Sequence, residues 1–206
     1  RARPARPTPN TPHRTFIIDR TPVCCQITWA HTEAAVRVIV IGGGIMGLCT
    51  ALSLRNRGHR VALYEQGPIP NPAGSSVDHH RLIRHPYGPL SGYARLIDPA
   101  LKAWDRVWEA VGQRLFHPTG TIAMARHDVS WVEQSLKDMA ELGIATEVLD
   151  DAGLLRRAPM LRSEGIELAA WIDSGGVLFA DRIVAAVAKR LVLSGATVNT
   201  HTPVVE

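Results

Sequence analysis

The sequence contains no hydrophobic run of membrane-spanning length and very little cysteine. No apolar stretch among its 206 residues approaches the roughly 18 residues that a transmembrane helix needs, so we predict no membrane span. The cysteines, Cys24, Cys25 and Cys49, are odd in number and lack the spacing of zinc ligands. In the absence of a clear secretory signal, this favours a reducing compartment, and we predict a cytoplasmic protein.

Acidic side chains are almost missing from residues 1–35, which are rich in Arg, Pro and Thr. Such a segment cannot bury enough apolar surface to order itself, so we predict a disordered basic extension. An Arg-rich, acid-poor start is also typical of targeting peptides, which would place the protein in an organelle; we favour an extension without that function. Aromatic residues make up only 5% of the chain and do not interleave with the basic ones, so nucleic acid is not an expected partner.

A strand–helix–strand unit is predicted where order should begin. The run VRVIVI, residues 36–41, is rich in β-branched side chains, as in a buried parallel strand. The next stretch, IMGLCTALSLRNRG, changes to a helical period and ends at Gly58. RVALYE then predicts a second strand that ends at Glu65.

The glycines of GGGIMG lie between the first strand and the helix in G-x-G-x-x-G register. Gly42 allows the tight turn, Gly44 lets a pyrophosphate approach the backbone, and Gly47 lets the helix pack against the strand. The helix N-terminus offers unpaired N–H groups to the phosphates. Glu65, roughly 20 residues further on, is placed to accept hydrogen bonds from a ribose. The pattern predicts a dinucleotide site and disfavours NADP, but this turn alone leaves NAD and FAD open.

Helical and strand patterns alternate through the rest of the chain. DPALKAWDRVWEAVG is amphipathic, with apolar positions Leu101, Trp104, Val107, Trp108 and Val111. SWVEQSLKDMAELG and DRIVAAVAKRLVLSG are predicted helices, the second with Asp181 as N-cap and Gly195 as C-cap. Strands are predicted at TGTIAMA, ATEVLD, ELAAWID, GGVLFA and the final ATVNTHTPVVE. Trp104, Trp108 and Trp131 are expected in the core.

A second group of motifs follows the strand–helix–strand unit. Residues 74–76 read GSS, residues 81–88 read RLIRHPYG, and the later stretches SGGVLFAD and GATVNTHTPV complete the group. From about Val36 onward, the chain resembles the FAD-dependent amine oxidases of the D-amino acid oxidase superfamily, most closely the monomeric sarcosine oxidase group. The resemblance implies an FAD-dependent oxidoreductase that oxidises the C–N bond of a secondary amine or amino acid by hydride transfer to the flavin.

The resemblance also implies roles for individual residues. Arg81 would lie near the flavin ring, where its charge favours the anionic reduced flavin, and Arg84 would bind the substrate carboxylate. If this stretch were helical, both arginines would point into one pocket. Ser75 and Ser76 would help to hold the phosphates or the ribityl chain. The expected cofactor contacts are Gly42, Gly44, Ile45, Met46, Gly47, Glu65, Ser75, Ser76, Arg81 and Val204.

Two positions depart from the family pattern and leave the substrate open. Val77 stands where the family often has His, and Pro86 stands where a small residue is more usual. The neighbouring arginines could also form a solvated face. Two further functions remain alternatives: an NAD-dependent dehydrogenase that uses the same strand–helix–strand unit, and an inactive truncated fragment of the flavoenzyme.

The histidines of the loop, His79, His80 and His85, raise the alternative of a metal site. No carboxylate or cysteine recurs at ligand spacing, so we expect polar loop residues and no metal. Asp173 and Ser174 are expected to form a turn rather than to take part in catalysis.

The predicted fold class is α/β: an incomplete Rossmann-like FAD-binding βαβ sheet with an inserted α+β portion of a substrate domain. The boundaries are 1–35 for the extension, 36–92 for the FAD-binding unit and active-site loop, 93–195 for helices and strands that include part of the substrate domain, and 196–206 for a return strand. A doubly wound sheet normally has about five or six strands, so we expect a fragment. The expected partner is a small amine or amino acid.

Overall fold

The structure, a computed structural model, describes residues 35–205. The predicted disorder of the basic extension and the surroundings of Cys24 and Cys25 therefore concern a part of the chain outside this range. The helices found within it are α1 (Ile45–Asn56), α2 (Ser91–Val111), α3 (Ser130–Glu141), α4 (Asp151–Arg157) and α5 (Ala180–Leu193). The strands are β1 (Arg37–Ile41), β2 (Arg60–Tyr64), β3 (Arg81–Ile83), β4 (Phe116–His117), β5 (Thr121–Ala125), β6 (Thr146–Leu149), β7 (Leu168–Ile172), β8 (Gly176–Leu178) and β9 (Thr197–Asn199).

A parallel sheet with the strand order β1-β2-β9 forms the part of the fold in which the sequence predicts a dinucleotide site. Val40 of β1 pairs with Leu63 of β2, and Leu63 pairs with Val198 of β9. Neighbouring parallel strands need a crossover connection, and α1 supplies it between β1 and β2. The predicted βαβ unit is therefore present, and the last strand returns to it after the insertion.

One face of this sheet carries the main apolar core. Helices α1 and α5 cover it, and Leu48, Leu63, Val187 and Leu191 are completely buried there. These side chains come from both helices and from the central strand β2. The apolar faces of α1 and α5 therefore pack with the strand side chains in a single core.

The opposite face of β1 is open within residues 35–205. Ile39 and Ile41 are 66% and 68% exposed on that face. The prediction of a buried strand is therefore wrong for this face of the described sheet, whereas on the face towards α1 Val40 is half-buried and packs against the core. β1 is also an edge strand, because β2 is its only partner among the described residues.

Two antiparallel sheets make up the inserted portion, with the orders β3-β8-β4 and β5-β7-β6. Helix α3 packs near the second of these sheets, where Val132 and Met139 are buried. This mixture of parallel and antiparallel sheets with helices confirms the predicted α/β class with an α+β insertion. Between residues 35 and 205, no helix is both long enough and apolar enough to cross a membrane.

Helix α2 is longer than predicted. It begins at Ser91 instead of Asp98 and continues through Pro99. Proline removes one helical hydrogen bond and favours a helix start, which is why the sequence pattern placed the boundary there. Burial of Ala94 and Ile97 in the first turns supplies the packing that carries the helix past the proline.

The ends of α5 also differ in detail from the prediction. Phe179 is the N-cap, and Asp181 lies in the first turn, where its carboxylate accepts a hydrogen bond from the N–H of Arg182. Ser194 is the C-cap, and Gly195 follows it with a φ of 82°. The glycine thus takes the left-handed conformation that ends many helices.

The tryptophans do not share one environment. Trp108 is buried and Trp104 packs against the main core, as predicted, and the two rings stack with centroids 5.0 Å apart. Trp131 is 36% exposed, so its assignment to the core is wrong. Its ring lies instead against the loop that follows β3.

A pair of substitutions on α5 tests the position of the core. Leu191 is completely buried and Leu193 is 69% exposed. Because Leu191→Ala leaves a cavity, it should lower the free energy of unfolding by about 2–5 kcal/mol. Leu193→Ala should change it by less than about 0.5 kcal/mol. Urea denaturation of both variants measures the difference, and equal losses would contradict this packing of α5.

Candidate active site

The turn between β1 and α1 has the backbone geometry that its glycines were predicted to supply. Gly42 has a φ of 102°, a region that residues with a side chain rarely adopt, and its N–H donates to the carbonyl of Tyr64 over 2.8 Å. A Cβ at Gly47 would overlap the carbonyl oxygen of Gly42. A Cβ at Gly44 would lie 2.9 Å from Oγ of Ser76. The three glycines therefore each have a steric reason to be glycine.

Glu65 follows β2 and holds this turn in place. Its carboxylate accepts hydrogen bonds from the N–H of Gly43 (2.7 Å), the N–H of Gly67 (3.0 Å) and Nδ2 of Asn71 (2.9 Å). The pKa of Glu65 is lowered from its ordinary value, chiefly by the N–H of Gly43 and then by the N–H of Gly67. The group is therefore a buried, ionised acceptor in contact with the glycine turn.

The N-terminus of α1 is capped from outside the helix. Gly44 at the N-cap has no side chain to offer, and Oγ of Ser76 accepts the N–H of Ile45 over 3.0 Å. Within residues 35–205, no acceptor is found for the N–H groups of Met46 and Gly47. Two first-turn donors and the positive end of the helix dipole thus remain available to an anion.

A cavity of about 320 Å³ begins at this helix end. It brings together four of the predicted contacts, Ile45, Met46, Ser75 and Ser76, with the predicted Arg81. Its other walls come from α2, β8 and α5 and were missed in the sequence: Trp104, Leu178, Ala180, Ile183 and Val184. The SGGVLFAD stretch was the available signal for the β8–α5 wall. The volume lies at the lower end of the range of about 300–1,000 Å³ that is usual for ligand pockets.

Arg81 is the charged group of this cavity. Its Nη2 donates to the carbonyl oxygen of Ser75 over 2.8 Å, and Nη1 lies 3.5 Å from a carboxylate oxygen of Asp78. Both side chains of this ion pair are about half exposed, so the pair contributes little to stability. The hydrogen bond to Ser75 nevertheless keeps the guanidinium next to the GSS turn.

Arg84 does not line this cavity. Arg81 begins strand β3 and Arg84 is the first residue after it, so the stretch between them is not a helix, and the helical spacing that would place both side chains on one face does not apply. The expectation that both arginines enter one pocket is therefore wrong. The guanidinium of Arg84 instead donates to the carbonyl of Pro86 and lies over the rings of Tyr87, at 4.6 Å, and Trp131, at 5.5 Å.

His85 is the most buried polar residue of the loop, with 2% of its surface exposed. Its Nδ1 lies 2.8 Å from Oγ of Ser174, and its Nε2 lies 3.0 Å from Oδ1 of Asp98. Because a carboxylate only accepts hydrogen bonds, Nε2 carries a proton. The sequence treated His85 as a polar loop residue and missed this link between the loop, α2 and the β7–β8 turn.

Two further points of the sequence analysis are the cofactor contact at Val204 and the question of a metal site. Val204 is 51% exposed and does not line the cavity. In the part of the chain that the structure describes, no group of three or more His, Cys, Asp or Glu side chains is arranged to hold a metal ion.

Comparison with known proteins identifies the family. Residues 37–206 match the family model described as FAD dependent oxidoreductase, DAO. The chain belongs to this family. It is 30% identical over 168 residues to a peroxisomal sarcosine oxidase of Mus musculus, an alignment that covers 82% of this chain and 43% of the relative. A monomeric sarcosine oxidase of a Bacillus species is 26% identical over 168 residues, with 81% and 43% covered. The chain therefore spans less than half the length of these curated relatives.

Solved structures of an amino acid oxidase and a glycine oxidase share the fold. The open form of NikD, described as an unusual amino acid oxidase, superimposes with a TM-score of 0.71 at 24% identity and covers 82% of this chain and 44% of its own. A glycine oxidase from Bacillus cereus superimposes with a TM-score of 0.59 at 28% identity, with 81% and 46% covered. The incomplete sheet corresponds to this partial coverage.

FAD is the cofactor of the DAO family, and the glycine turn of this DAO chain fits it. A dinucleotide needs a backbone that its diphosphate can approach, and Gly44 presents no Cβ there. The N–H groups at the start of α1 can donate to phosphate oxygens, and the adjoining cavity is open to a larger group. The donors, the shape and the ionised Glu65 are thus consistent with one bound FAD.

The hydrogen bonds of Glu65 predict a pH-dependent contribution to stability. Because its pKa is lower in the folded chain, the carboxylate stabilises the fold fully above the unfolded-state pKa of about 4.3, and this is lost as the pH falls through the lower folded value. At pH 7, Glu65→Gln should lower the free energy of unfolding by about 1–3 kcal/mol. The difference in the free energy of unfolding between this variant and the unsubstituted protein should become smaller between about pH 5 and pH 3.

Urea denaturation at several pH values measures this gap. Glu164→Gln is the control, because Glu164 is exposed and no hydrogen-bond partner is found for it within the described residues. A gap for Glu65→Gln that stays constant down to pH 3 would contradict the role of the ionised carboxylate.

Proposed function

We propose that this chain provides the FAD-binding turn and two arginines of an enzyme that oxidises the C–N bond of a secondary amine or amino acid. The observation that supports the proposal most strongly is the single cavity at which the start of α1, the GSS turn and Arg81 meet. The names of the relatives, sarcosine oxidases and a glycine oxidase, point to the same class of small substrate.

Each residue at the turn would contact a different part of the cofactor. The N–H groups of Met46 and Gly47 would donate to the diphosphate, next to the space left free at Gly44. Glu65 already accepts three hydrogen bonds, and a carboxylate has about four acceptor positions, so one position remains for a ribose hydroxyl. Ser76 keeps the helix end in place through the N–H of Ile45.

The two arginines, at the start of β3 and just after its end, would act at different points of the site. Arg81 lines the cavity and would place a permanent positive charge beside the isoalloxazine. Arg84, three residues further, would bind the substrate carboxylate with its planar fork of donors. When bound, FAD accepts the electrons that leave the substrate, and the protein residues bind, orient and exclude water.

Titration of the chain with FAD tests the cofactor site. A ligand that binds only the folded state stabilises it, by about 2.7 kcal/mol at 100 times its Kd, so FAD should raise the melting temperature and NAD should not. Gly44→Ala should weaken FAD binding at least about tenfold, since the new Cβ displaces Ser76 and fills the approach to the turn. The matched control is Gly92→Ala, because a Cβ at Gly92 meets no atom within 4 Å.

Three outcomes would contradict this site. The first is stabilisation by NAD with no effect of FAD, which would favour the dehydrogenase alternative. The second is the absence of any shift at saturating FAD, which would favour an inactive fragment. The third is an equal loss of FAD affinity in Gly44→Ala and Gly92→Ala, which would show that the diphosphate does not bind at the glycine turn.

A substrate pair tests the role of Arg84. In protein loaded with FAD, Arg84→Lys should slow the bleaching of the flavin colour by sarcosine about 10- to 100-fold, because a point charge replaces a bidentate donor. An amine of similar size without a carboxylate, such as N-methylethylamine, should be affected much less. Equal losses with both amines would show that Arg84 does not recognise the carboxylate.

A further inference from the structure

The guanidinium of Arg84 has an unusually complete set of neighbours for a side chain that is only half buried. The rings of Tyr87 and Trp131 lie 4.6 Å and 5.5 Å from its central carbon, and the carbonyl of Pro86 accepts one of its N–H groups. Tyr87 is itself stacked on Tyr93, with ring centroids 5.4 Å apart. Two aromatic rings and one acceptor therefore limit the orientations of the guanidinium plane.

The ring of Trp131 is seated by a glycine in the same loop. Gly88 has a φ of 55°, and a Cβ at this position would overlap the Trp131 ring. The N–H of Gly88 donates to Oγ of Ser135 over 2.9 Å, and that hydroxyl donates to the carbonyl of Trp131 over 2.9 Å. The loop thus carries a glycine where the Trp131 ring approaches, and Ser135 of α3 accepts a hydrogen bond from that glycine.

A second polar contact joins α3 to the start of α2, directly after this loop. Oγ of Ser91, at the start of α2, donates to Oδ1 of Asp138 on α3 over 3.0 Å. Asp138 is buried, so this bond is sheltered from water. The segment that follows β3 is therefore docked on α3, whereas Arg81 at the start of β3 faces the cavity of the nucleotide-binding part.

We infer that Trp131 is a positioning residue for Arg84: with Tyr87 it forms an aromatic clamp that holds the guanidinium plane and leaves its remaining N–H groups to a carboxylate. The inference rests on the proposed function, in which Arg84 binds the substrate carboxylate. Ordinary core packing does not account for Trp131, since the ring is 36% exposed and rests on an arginine and a glycine. The ligand class is a small carboxylate that a fixed planar donor can bind through both oxygens.

Two substitutions, Trp131→Leu and Trp131→Phe, distinguish the effect of the aromatic ring from the effect of side-chain size. Leu removes the aromatic face and Phe retains one, so Phe should restore most of the function of the clamp. The matched control is Trp171→Leu, because Trp171 also lies under an arginine, Arg157, at 4.2 Å, but its ring is on β7 of the second antiparallel sheet and is not one of the two rings over Arg84. Both positions are partly exposed, so each Leu variant should fold.

Nuclear magnetic resonance of the 206-residue chain gives the first readout, which needs no activity. The Nε–H signal of Arg84, assigned with Arg84→Lys, should show a ring-current shift from both rings, and Trp131→Leu should remove the part due to Trp131. Trp131→Phe should reduce the shift less than Trp131→Leu, and Trp171→Leu should leave it unchanged. Acetate, added at constant ionic strength, gives the second readout. Its Kd at Arg84 should rise roughly 3- to 30-fold in Trp131→Leu and by less than about twofold in Trp171→Leu.

The outcomes distinguish this inference from the proposed function. An Arg84 signal without a ring-current shift in the unsubstituted chain overturns the clamp, whatever acetate does. A shifted Arg84 signal with the same acetate affinity in all three Trp variants shows a structural contact only and also overturns the positioning role. A shifted Arg84 signal that acetate does not move at all overturns the proposed role of Arg84 in carboxylate binding.

Discussion

The bonds of one residue, Glu65, fix the glycine turn relative to everything around it. Its side chain accepts from Gly43 in the β1–α1 turn and from Gly67 in the following loop. Its backbone N–H donates to the carbonyl of Asn199 at the end of β9, and its carbonyl accepts from Thr202. The β1–α1 turn bonds to the carboxylate of this residue and the end of β9 to its backbone, so two segments that are distant in sequence meet at Glu65. Since a buried carboxylate is tolerated only when hydrogen-bonded, the fold around the turn and the charge at the turn depend on each other.

The arginines at the start of β3 and just after its end face two different parts of the fold. Its first residue, Arg81, is bonded to the GSS turn and belongs with the cofactor cavity. Just past its last residue, Arg84 lies against α3, which packs on the second antiparallel sheet. The extended backbone of β3 makes this separation possible over three residues, where a helix would have placed both arginines on one side.

The sequence was sufficient for features that depend on local geometry. The glycine register, the strand–helix–strand unit and the helical face that includes Leu101 and Trp108 follow from periodicity and from backbone conformations that glycine permits. Contacts between distant segments could not be read in the same way. The environments of His85 and Trp131, and the passage of α2 through Pro99, are decided by packing partners that no local pattern reveals.

The backbone under Arg84 is held as firmly as its side chain, and this bears on how the residue would bind a ligand. His85 bridges Ser174 in the β7–β8 turn and Asp98 on α2 while almost fully buried. A Cβ at Gly175, in the same turn, would lie 3.2 Å from the Cα of Arg84, so the turn packs directly on the chain there. An arginine whose backbone and side chain are both held in place loses less side-chain entropy when a carboxylate binds. Such an arrangement strengthens binding without any added contact, which is the physical advantage of placing the anion site directly after β3, in a packed segment, instead of in a free loop.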